Sequence, residues 1–334
     1  MQFPHHALIG AAVNIPVNSP VPVVSFSPLV LPAGNRPVDI DLQLRVTAPS
    51  TGDGLAIVLL SHGLGSSNWL SSLDGYAPLA EFWAAHGFVV IQPTLLDSAF
   101  LNVTGDAPAG QEFFWQSQAR DLSRVLDELD AVEAAVPGLG GRLDRTKVAV
   151  AGHSFGGWTA SMLLGARNVD PRTNETFDGL ERRVKAGVVL AGTGAGGADV
   201  SESGRQIIPF YGPDFSTMDT PALVVYGDED ASPVLSNRGA DWHADPYTLA
   251  PGPKALFTVK GGKHGLGGVS GPDAAETEDE SPERLGAVQR MTWAYLRSQL
   301  FEGDTAWEEA RKALGGLGQL GTVEQKGEGK TRGR

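Results

Sequence analysis

The 334-residue sequence contains no cysteine, and this absence removes several kinds of chemistry. Without thiols the chain forms no disulfide, offers no thiolate to a metal ion and has no cysteine nucleophile. Basic residues are also scarce: 26 lysines and arginines stand against 39 aspartates and glutamates, which leaves a formal net charge of -13. Because an acidic surface repels phosphate backbones, we expect no nucleic-acid partner.

Long apolar runs are missing as well. No stretch reaches the roughly 20 apolar residues that span a bilayer, so we expect no stable membrane insertion. Residues 1–20 lack the basic region of a signal peptide, which favours a cytoplasmic location and leaves secretion open. No histidine pair has the helical spacing of metal ligands, so we expect no metal site. The sequence leaves the oligomeric state open.

What the chain does contain is a series of short, continuous apolar segments. Strands buried on both faces have this composition, because helices cover both sides of a parallel sheet. Six segments fit this description: residues 56–60, 88–93, 147–152, 186–192, 222–227 and 255–261. Helical patterns lie between them, at residues 76–86, 116–136, 154–166 and 282–301. The alternation predicts an α/β fold with a doubly wound, mostly parallel sheet and helices on both faces.

The remaining segments define the domain organisation. Residues 21–48 contain two strands, and the period-two alternation of the second one predicts antiparallel pairing. We assign residues 1–20 to an N-terminal arm and residues 21–312 to one domain. Within that domain, residues 193–218 are glycine-rich and form either an irregular loop or a small cap. Residues 313–334 are rich in glycine and lysine, which predicts a disordered tail.

The sharpest functional signal is the pentapeptide GHSFG at residues 152–156. It lies between the apolar strand KVAVAG and the helix WTASMLLGA. A G-x-S-x-G sequence in this setting forms a strained strand-to-helix turn that exposes the serine, and the glycines let neighbouring backbones pass. The alternative is a chance match in a chain with 43 glycines, and the strand–turn–helix setting argues against it. We therefore predict that Ser154 is a nucleophile.

A second glycine motif, SHGLG at residues 61–65, follows the apolar strand at 56–60. In folds of this layout, the loop at this position and the residue after the nucleophile each supply one backbone N–H to an oxyanion hole. Those groups would be the N–H of Leu64 and of Phe155. The alternative, an ordinary glycine turn, is weakened by the nucleophile turn that follows. His62 precedes the nucleophile and is expected to order the loop.

The base and its acid are expected near the end of the chain. A serine nucleophile needs a base that accepts its proton and an acid that holds the imidazole in the right tautomer. Of the seven histidines, only His264 has both the required order along the chain and a position at a strand end, in the loop after the last apolar strand, whereas His243 lies in the loop between the last two strands. The order serine, acid, histidine is that of the α/β-hydrolases. We predict His264 as the base.

These residues also support a family resemblance. HGLG followed by GHSFGG, with LAEFWAAHGFVVIQP between them, resembles the platelet-activating-factor acetylhydrolase and chlorophyllase-like branch of the α/β-hydrolase superfamily. The likeness is strong over about residues 55–165 and otherwise one of pattern. It implies an α/β-hydrolase fold, a serine esterase with a calcium-independent triad, no cofactor, and oxyanion amides at Leu64 and Phe155. The acetylhydrolases carry their acid after an earlier strand, whereas this chain has none there before Asp199.

The resemblance also guides the choice of acid. Related hydrolases commonly show G-x-x-D after the later strand, which points to Asp230 in the run Gly227-Asp228-Glu229-Asp230. Asp228 sits at the strand end and is expected to cap the loop. Asp199 is the third candidate.

The combined prediction is a serine carboxylic-ester hydrolase that acts on a neutral small or medium ester or lactone. Other chemistries on the same fold stay open: thioester, peptide or carbon–carbon bond cleavage, biosynthetic cyclisation, and non-catalytic ligand binding. The segment 271–283 holds six acidic residues and no basic one. It either overhangs the site and disfavours dianionic esters, or is a solvated loop without effect.

Overall fold

The structure, a computed structural model, describes residues 9–272 and 274–327. Its main element is a twisted sheet of nine strands. Across the sheet these are β1 (Val23–Leu31), β2 (Leu42–Pro49), β4 (Phe88–Pro93), β3 (Leu55–Ser61), β5 (Leu143–His153), β8 (Val184–Leu190), β10 (Ala222–Gly227), β11 (Lys254–Val259) and β12 (Gly321–Lys326). The six central strands, from β4 to β11, run parallel to their neighbours. They are the six apolar segments of the sequence, so the predicted doubly wound α/β fold is confirmed.

Antiparallel strands complete both edges of the sheet. At one edge β1 pairs with β2, and β2 pairs with β4. At the other edge β12 pairs with β11. The predicted antiparallel N-terminal strands are therefore present, whereas the C-terminal strand was not foreseen.

The parallel strands divide the core into two layers because successive side chains point to opposite faces. In β3, Ile57 and Leu59 join one apolar cluster, and Val58 and Leu60 join the other. The helices that cover these faces and connect the strands are α1 (Ala77–Ala85), α2 (Trp115–Asp127), α3 (Leu129–Ala135), α4 (Phe155–Leu163), α5 (Glu202–Ile207), α6 (Asp245–Thr248), α7 (Pro282–Leu300) and α8 (Ala306–Gly315). No helix in the described ranges is long and apolar enough to span a membrane.

Two regions are more divided than the sequence pattern suggests. The helix predicted over residues 116–136 is two helices, because the backbone of Glu128, with φ -101° and ψ 17°, departs from helical geometry between them. A separate small sheet contains β6 (Arg167–Val169), β7 (Thr176–Asp178) and β9 (Pro213–Asp214). Residues 193–218 thus include α5, β9 and two short 3₁₀ turns.

The prediction of a disordered tail over residues 313–334 is wrong for its first part. Leu314 and Leu320 are buried, and β12 forms a complete antiparallel ladder with β11. Backbone hydrogen bonds hold this strand, and a composition rich in glycine and lysine carries little signal for them. Residues 328–334 lie outside the described part, as do residues 1–8 of the predicted arm. Residues 9–20 of that arm include a 3₁₀ turn, Gly10–Asn14, that packs on α7.

Candidate active site

The nucleophile turn lies in the middle of the sheet, between β5 and α4. Ser154 has φ 56° and ψ -122°, a backbone conformation that non-glycine residues rarely adopt. The two flanking glycines are required by close backbone contacts. A Cβ on Gly152 would lie 2.0 Å from the carbonyl oxygen of Gly156, and one on Gly156 would lie 2.3 Å from that of His62. The turn therefore holds the serine at the start of α4, where the helix N-terminus favours negative charge.

A continuous hydrogen-bonded chain links the serine to an acid. The hydroxyl of Ser154 lies 2.8 Å from Nε2 of His264, in the loop that follows β11. Nδ1 of His264 lies 3.0 and 3.1 Å from the two carboxylate oxygens of Asp230, in the loop after β10. With the proton on Nδ1 donated to Asp230, Nε2 is free to accept the serine proton. The structure thus brings together the three residues selected from the sequence.

The electrostatics of this pair favour an ion pair during proton transfer. Desolvation opposes charge on His264, but the adjacent Asp230 carboxylate outweighs it and raises the pKa of the imidazole above its ordinary value. Desolvation also opposes charge on the buried Asp230, but the neighbouring imidazoles, His264 foremost, hold its pKa below the usual range. These shifts favour an ionised Asp230 beside His264, which is the arrangement that would stabilise an imidazolium at this position.

The other two candidate acids have different partners. Oδ1 of Asp228 accepts the N–H of Gly261 at 2.6 Å, and Oδ2 accepts the Lys260 ammonium at 2.7 Å. This carboxylate ties the end of β10 to the loop after β11, as expected of a loop cap. Asp199 pairs with Arg238 at 3.0 Å. Of the three acids, only Asp230 contacts the ring of His264.

Two backbone N–H groups lie beside the nucleophile at the predicted oxyanion hole. Leu64 follows Gly63, whose Cβ position would lie 3.2 Å from Cβ of Ser154, so this loop passes in contact with the nucleophile. Phe155 is the first residue of α4 and has no intrahelical acceptor for its N–H. Among the described residues, neither N–H donates to a protein acceptor. Both remain available to a substrate oxygen.

His62 orders the oxyanion loop, here defined as residues 62–70, as the sequence suggests. Its Nδ1–H donates to the carbonyl of Gly63 at 2.9 Å, and its Nε2 accepts the N–H of Leu95 at 2.9 Å. Burial lowers the pKa of His62 to about 4, so the ring is neutral and both contacts have matching donors and acceptors. This histidine therefore holds the loop and does not face Ser154 as a base.

His153, the buried residue before Ser154, connects the loop that carries His264 with the oxyanion loop. Its Nε2–H donates to the carbonyl of His264 at 2.7 Å, and burial lowers its pKa to about 3. A neutral ring then has Nδ1 as an acceptor, and the Tyr76 hydroxyl lies 3.1 Å from both this nitrogen and the carbonyl oxygen of Leu70. The same hydroxyl oxygen accepts the N–H of Gly63 at 2.9 Å. Sequence reasoning missed this link, because the partners are distant along the chain.

His243 is a second histidine against the acid, and sequence reasoning also missed it. Its Nδ1–H donates to the carbonyl of Gly192 at 2.8 Å, and its Nε2 lies 3.1 Å from the Ser232 hydroxyl and 3.4 Å from Asp230. Burial lowers the pKa of His243, which favours a neutral ring. Together with Asp230 and His264 it forms a group whose ligand atoms lie within 4.8 Å of one another. These are ligand types that a divalent transition metal accepts, but His264 is hydrogen-bonded to Ser154 and Asp230 is hydrogen-bonded to His264.

Comparison with known proteins is consistent with this architecture. A family model described as "Alpha/beta hydrolase family" matches residues 57–313, which span the sheet from β3 to α8 and include Ser154, Asp230 and His264. No curated protein matches the chain.

Proposed function

The chain belongs to the alpha/beta hydrolase family, and on that premise we propose that it is a serine carboxylic-ester hydrolase. The observation that carries the proposal is the contact of 2.8 Å between Ser154 Oγ and His264 Nε2, with Asp230 on the opposite nitrogen. Nucleophile, base and acid at these distances form the arrangement that activates a serine hydroxyl at neutral pH. A protein that only binds a ligand has no need of it.

The first half of the reaction forms an acyl-enzyme. Ser154 Oγ attacks the carbonyl carbon of the ester as His264 Nε2 accepts the hydroxyl proton. The carbonyl oxygen becomes an oxyanion, which the N–H groups of Leu64 and Phe155 stabilise. His264 then donates its proton to the leaving alcohol oxygen, and the carbon–oxygen bond of the ester breaks.

The second half regenerates the enzyme. A water molecule attacks the acyl carbon while His264 accepts one of its protons. The same two N–H groups stabilise the second oxyanion. When this intermediate collapses, His264 returns the proton to Ser154 Oγ and the carboxylic acid is released. Asp230 stays ionised throughout, and the chemistry needs no cofactor.

We propose a neutral small or medium ester or lactone as the substrate class. Phe113 and Phe155 pack edge to face with ring centres 6.3 Å apart, and both they and Leu64 join one apolar cluster. Because the two residues of the predicted oxyanion amides, Leu64 and Phe155, belong to this apolar cluster, an uncharged acyl group is favoured. The position of Asp230 after β10 fits the chlorophyllase-like part of the proposed branch better than the acetylhydrolase part, because Asp199, after β8, pairs with Arg238.

Two measurements test the proposal. A fluorophosphonate probe should label the wild-type protein at Ser154 and leave Ser154→Ala unlabelled, which separates a serine hydrolase from a binding protein. A panel of p-nitrophenyl esters, thioesters and peptide amides should then show turnover of the esters. Absence of labelling refutes the serine hydrolase, and labelling with preferred turnover of thioesters or amides refutes the ester assignment.

A further inference from the structure

The acidic segment, residues 271–283, runs from the loop that carries His264 to the start of α7. Its carboxylates are not all solvated. Glu276 is half-buried and Asp279 is buried, whereas Glu278 and Glu280 are exposed. The segment is anchored at its end, where the Ser281 hydroxyl caps α7. Glu283, the first acidic residue of α7, accepts the N–H of Ala11 at 2.7 Å. Glu276 and Asp279 face other parts of the protein.

Glu276 contacts the oxyanion loop. Its Oε1 accepts the backbone N–H of Ser67 at 2.8 Å and the Ser66 hydroxyl at 3.3 Å, and its Oε2 accepts the Ser67 hydroxyl. A Cβ on Gly65 would lie 2.8 Å from the same Oε1. The carboxylate thus lies directly against the residues that follow Leu64, and it gathers three donors from two consecutive residues.

Asp279 contacts the base loop, here defined as residues 260–270, on both sides of His264. Its Oδ2 accepts the N–H of Lys263 at 2.8 Å and the N–H of Gly267 at 3.1 Å. A Cβ on Gly265 would lie 2.8 Å from its other oxygen. Because the carboxylate is buried, loss of these donors would leave a charge without partners, which is costly. The loop is therefore held on either side of its imidazole.

We propose that Glu276 and Asp279 are positioning residues that hold the oxyanion loop and the base loop in register with each other. The proposal rests on the proposed function, because it assigns these residues a role in the same reaction. Preorganised donors stabilise an oxyanion only if they stay in place, and a displacement of about 1 Å can cost about 10²-fold in rate. Charge-assisted bonds from one segment to both loops provide that constraint. Most of the oxygens of Glu276 and Asp279 are occupied by donors, so repulsion of anionic substrates is not their main effect.

The two carboxylates should leave different kinetic signatures. The charged and titratable groups that face His264 are Asp230, His243, His153 and Asp279. The negative charge of Asp279 adds to that of Asp230 in raising the pKa of His264. Removal of the Asp279 charge should therefore shift the acid limb of the pH profile to lower pH. Among the described residues, the Glu276 carboxylate accepts hydrogen bonds only from the oxyanion loop, so its loss should lower the rate plateau and leave the limb in place.

The test uses the full chain with a neutral p-nitrophenyl ester between pH 5 and 9. Glu276→Gln puts an amide NH₂ where an oxygen accepted a bond, so we expect kcat to fall about 10- to 100-fold with KM within about twofold. Asp279→Asn should lower kcat and also shift the limb. The control, Glu280→Gln, changes an exposed carboxylate of the same segment and should match wild type. A Glu276→Gln variant with wild-type kcat, or one that gains activity only on carboxylated esters, overturns the proposal.

A second measurement separates this proposal from the proposed function and from simple loss of folding. Hydrogen exchange is followed in the Ser154→Ala background, where no turnover is involved. Glu276→Gln should speed exchange in residues 62–70, and Asp279→Asn should speed it in residues 260–270, while exchange in β3 and β5 stays unchanged. Unchanged exchange in both loops overturns the proposal, and so does acceleration throughout the sheet. If exchange is accelerated in the loops alone but the protein with Ser154 intact hydrolyses no ester, the loop contacts are supported and the proposed function is refuted.

Discussion

The nucleophile turn and the acid loop, residues 227–231, both follow buried parallel strands, yet different forces fix them. At the turn, contacts of Gly152 and Gly156 with neighbouring backbones leave room for little except glycine. In the acid loop, Asp228 and Asp230 are two residues apart and have opposite environments. The first pairs with Lys260 near the surface, and the second is buried against His264. The turn is thus set by local sterics, and the loop by partners that are remote in sequence.

The largest effect is expected at the nucleophile turn, the first of the two regions compared. Ser154→Ala should lower turnover by about 10⁴- to 10⁶-fold, because the triad acts as a unit. The fold should persist, since alanine is smaller than the serine that it replaces. Ester hydrolysis and thermal unfolding of the purified variant check both points. Retention of more than a tenth of wild-type activity would refute the role of Ser154.

The next largest effect is expected in the acid loop, the second region compared. Asp230→Asn keeps the shape of the side chain but favours the wrong tautomer of His264, which should lower kcat by about 10⁴-fold. Asp228→Asn and Asp199→Asn are the matched controls, since neither carboxylate contacts His264, and both should stay within about tenfold of wild type. Rates are compared at equal folded concentration. If either control loses all turnover while Asp230→Asn stays active, the assignment of Asp230 as the acid is refuted.

A smaller effect is expected when the close backbone contacts of the nucleophile turn are disturbed. Gly156→Ala would place its Cβ 2.3 Å from the His62 carbonyl oxygen, so a backbone must shift. We expect the free energy of unfolding to fall by about 1–3 kcal/mol, and kcat to fall by about 10²-fold as Ser154 moves. Gly105→Ala is the control, because a Cβ there meets open space. Denaturant unfolding with wild-type stability for Gly156→Ala would show that the turn tolerates a side chain.

The smallest effect concerns the interaction of the buried Asp230 carboxylate with His264, which sets the pH dependence. His264 must be neutral to accept a proton, so kcat/KM should fall about tenfold for each pH unit below its pKa. Because Asp230 raises the pKa of His264, the loss should begin above the ordinary value of about 6.5. In Asp230→Asn the residual activity should extend to lower pH. An acid limb that does not move in that variant would show that the carboxylate does not set this pKa.

Sequence patterns predicted the parts of the molecule that local rules determine. The six apolar segments became the parallel strands because burial on both faces demands that composition. The nucleophile turn could be predicted because the glycine spacing and a strand–helix junction coincide at Ser154. The contact between His264 and Asp230 agrees with the selection made from chain order and family geometry, and the catalytic roles of both residues stay predictions.

The parts that were missed depend on contacts between distant residues. His153 and Tyr76 are 77 residues apart, and Ser67 and Glu276 are 209 apart. Histidines and glutamates carry no periodicity that would mark such partners. The prediction of a disordered tail was wrong for a similar reason. A hydrogen-bonded ladder with β11 stabilises β12, and the sequence of β12 has no alternation of apolar and polar residues that predicts a strand.

The pairing of β12 with β11 has a consequence for the order in which the protein is made. β11 and the loop with His264 leave the ribosome about 60 residues before β12 does, so the nascent sheet has an open edge during that interval. An unpaired edge strand is a template for association with other chains. Completion of the sheet and protection of its edge from association therefore coincide with the emergence of a six-residue strand that contributes none of the candidate catalytic residues.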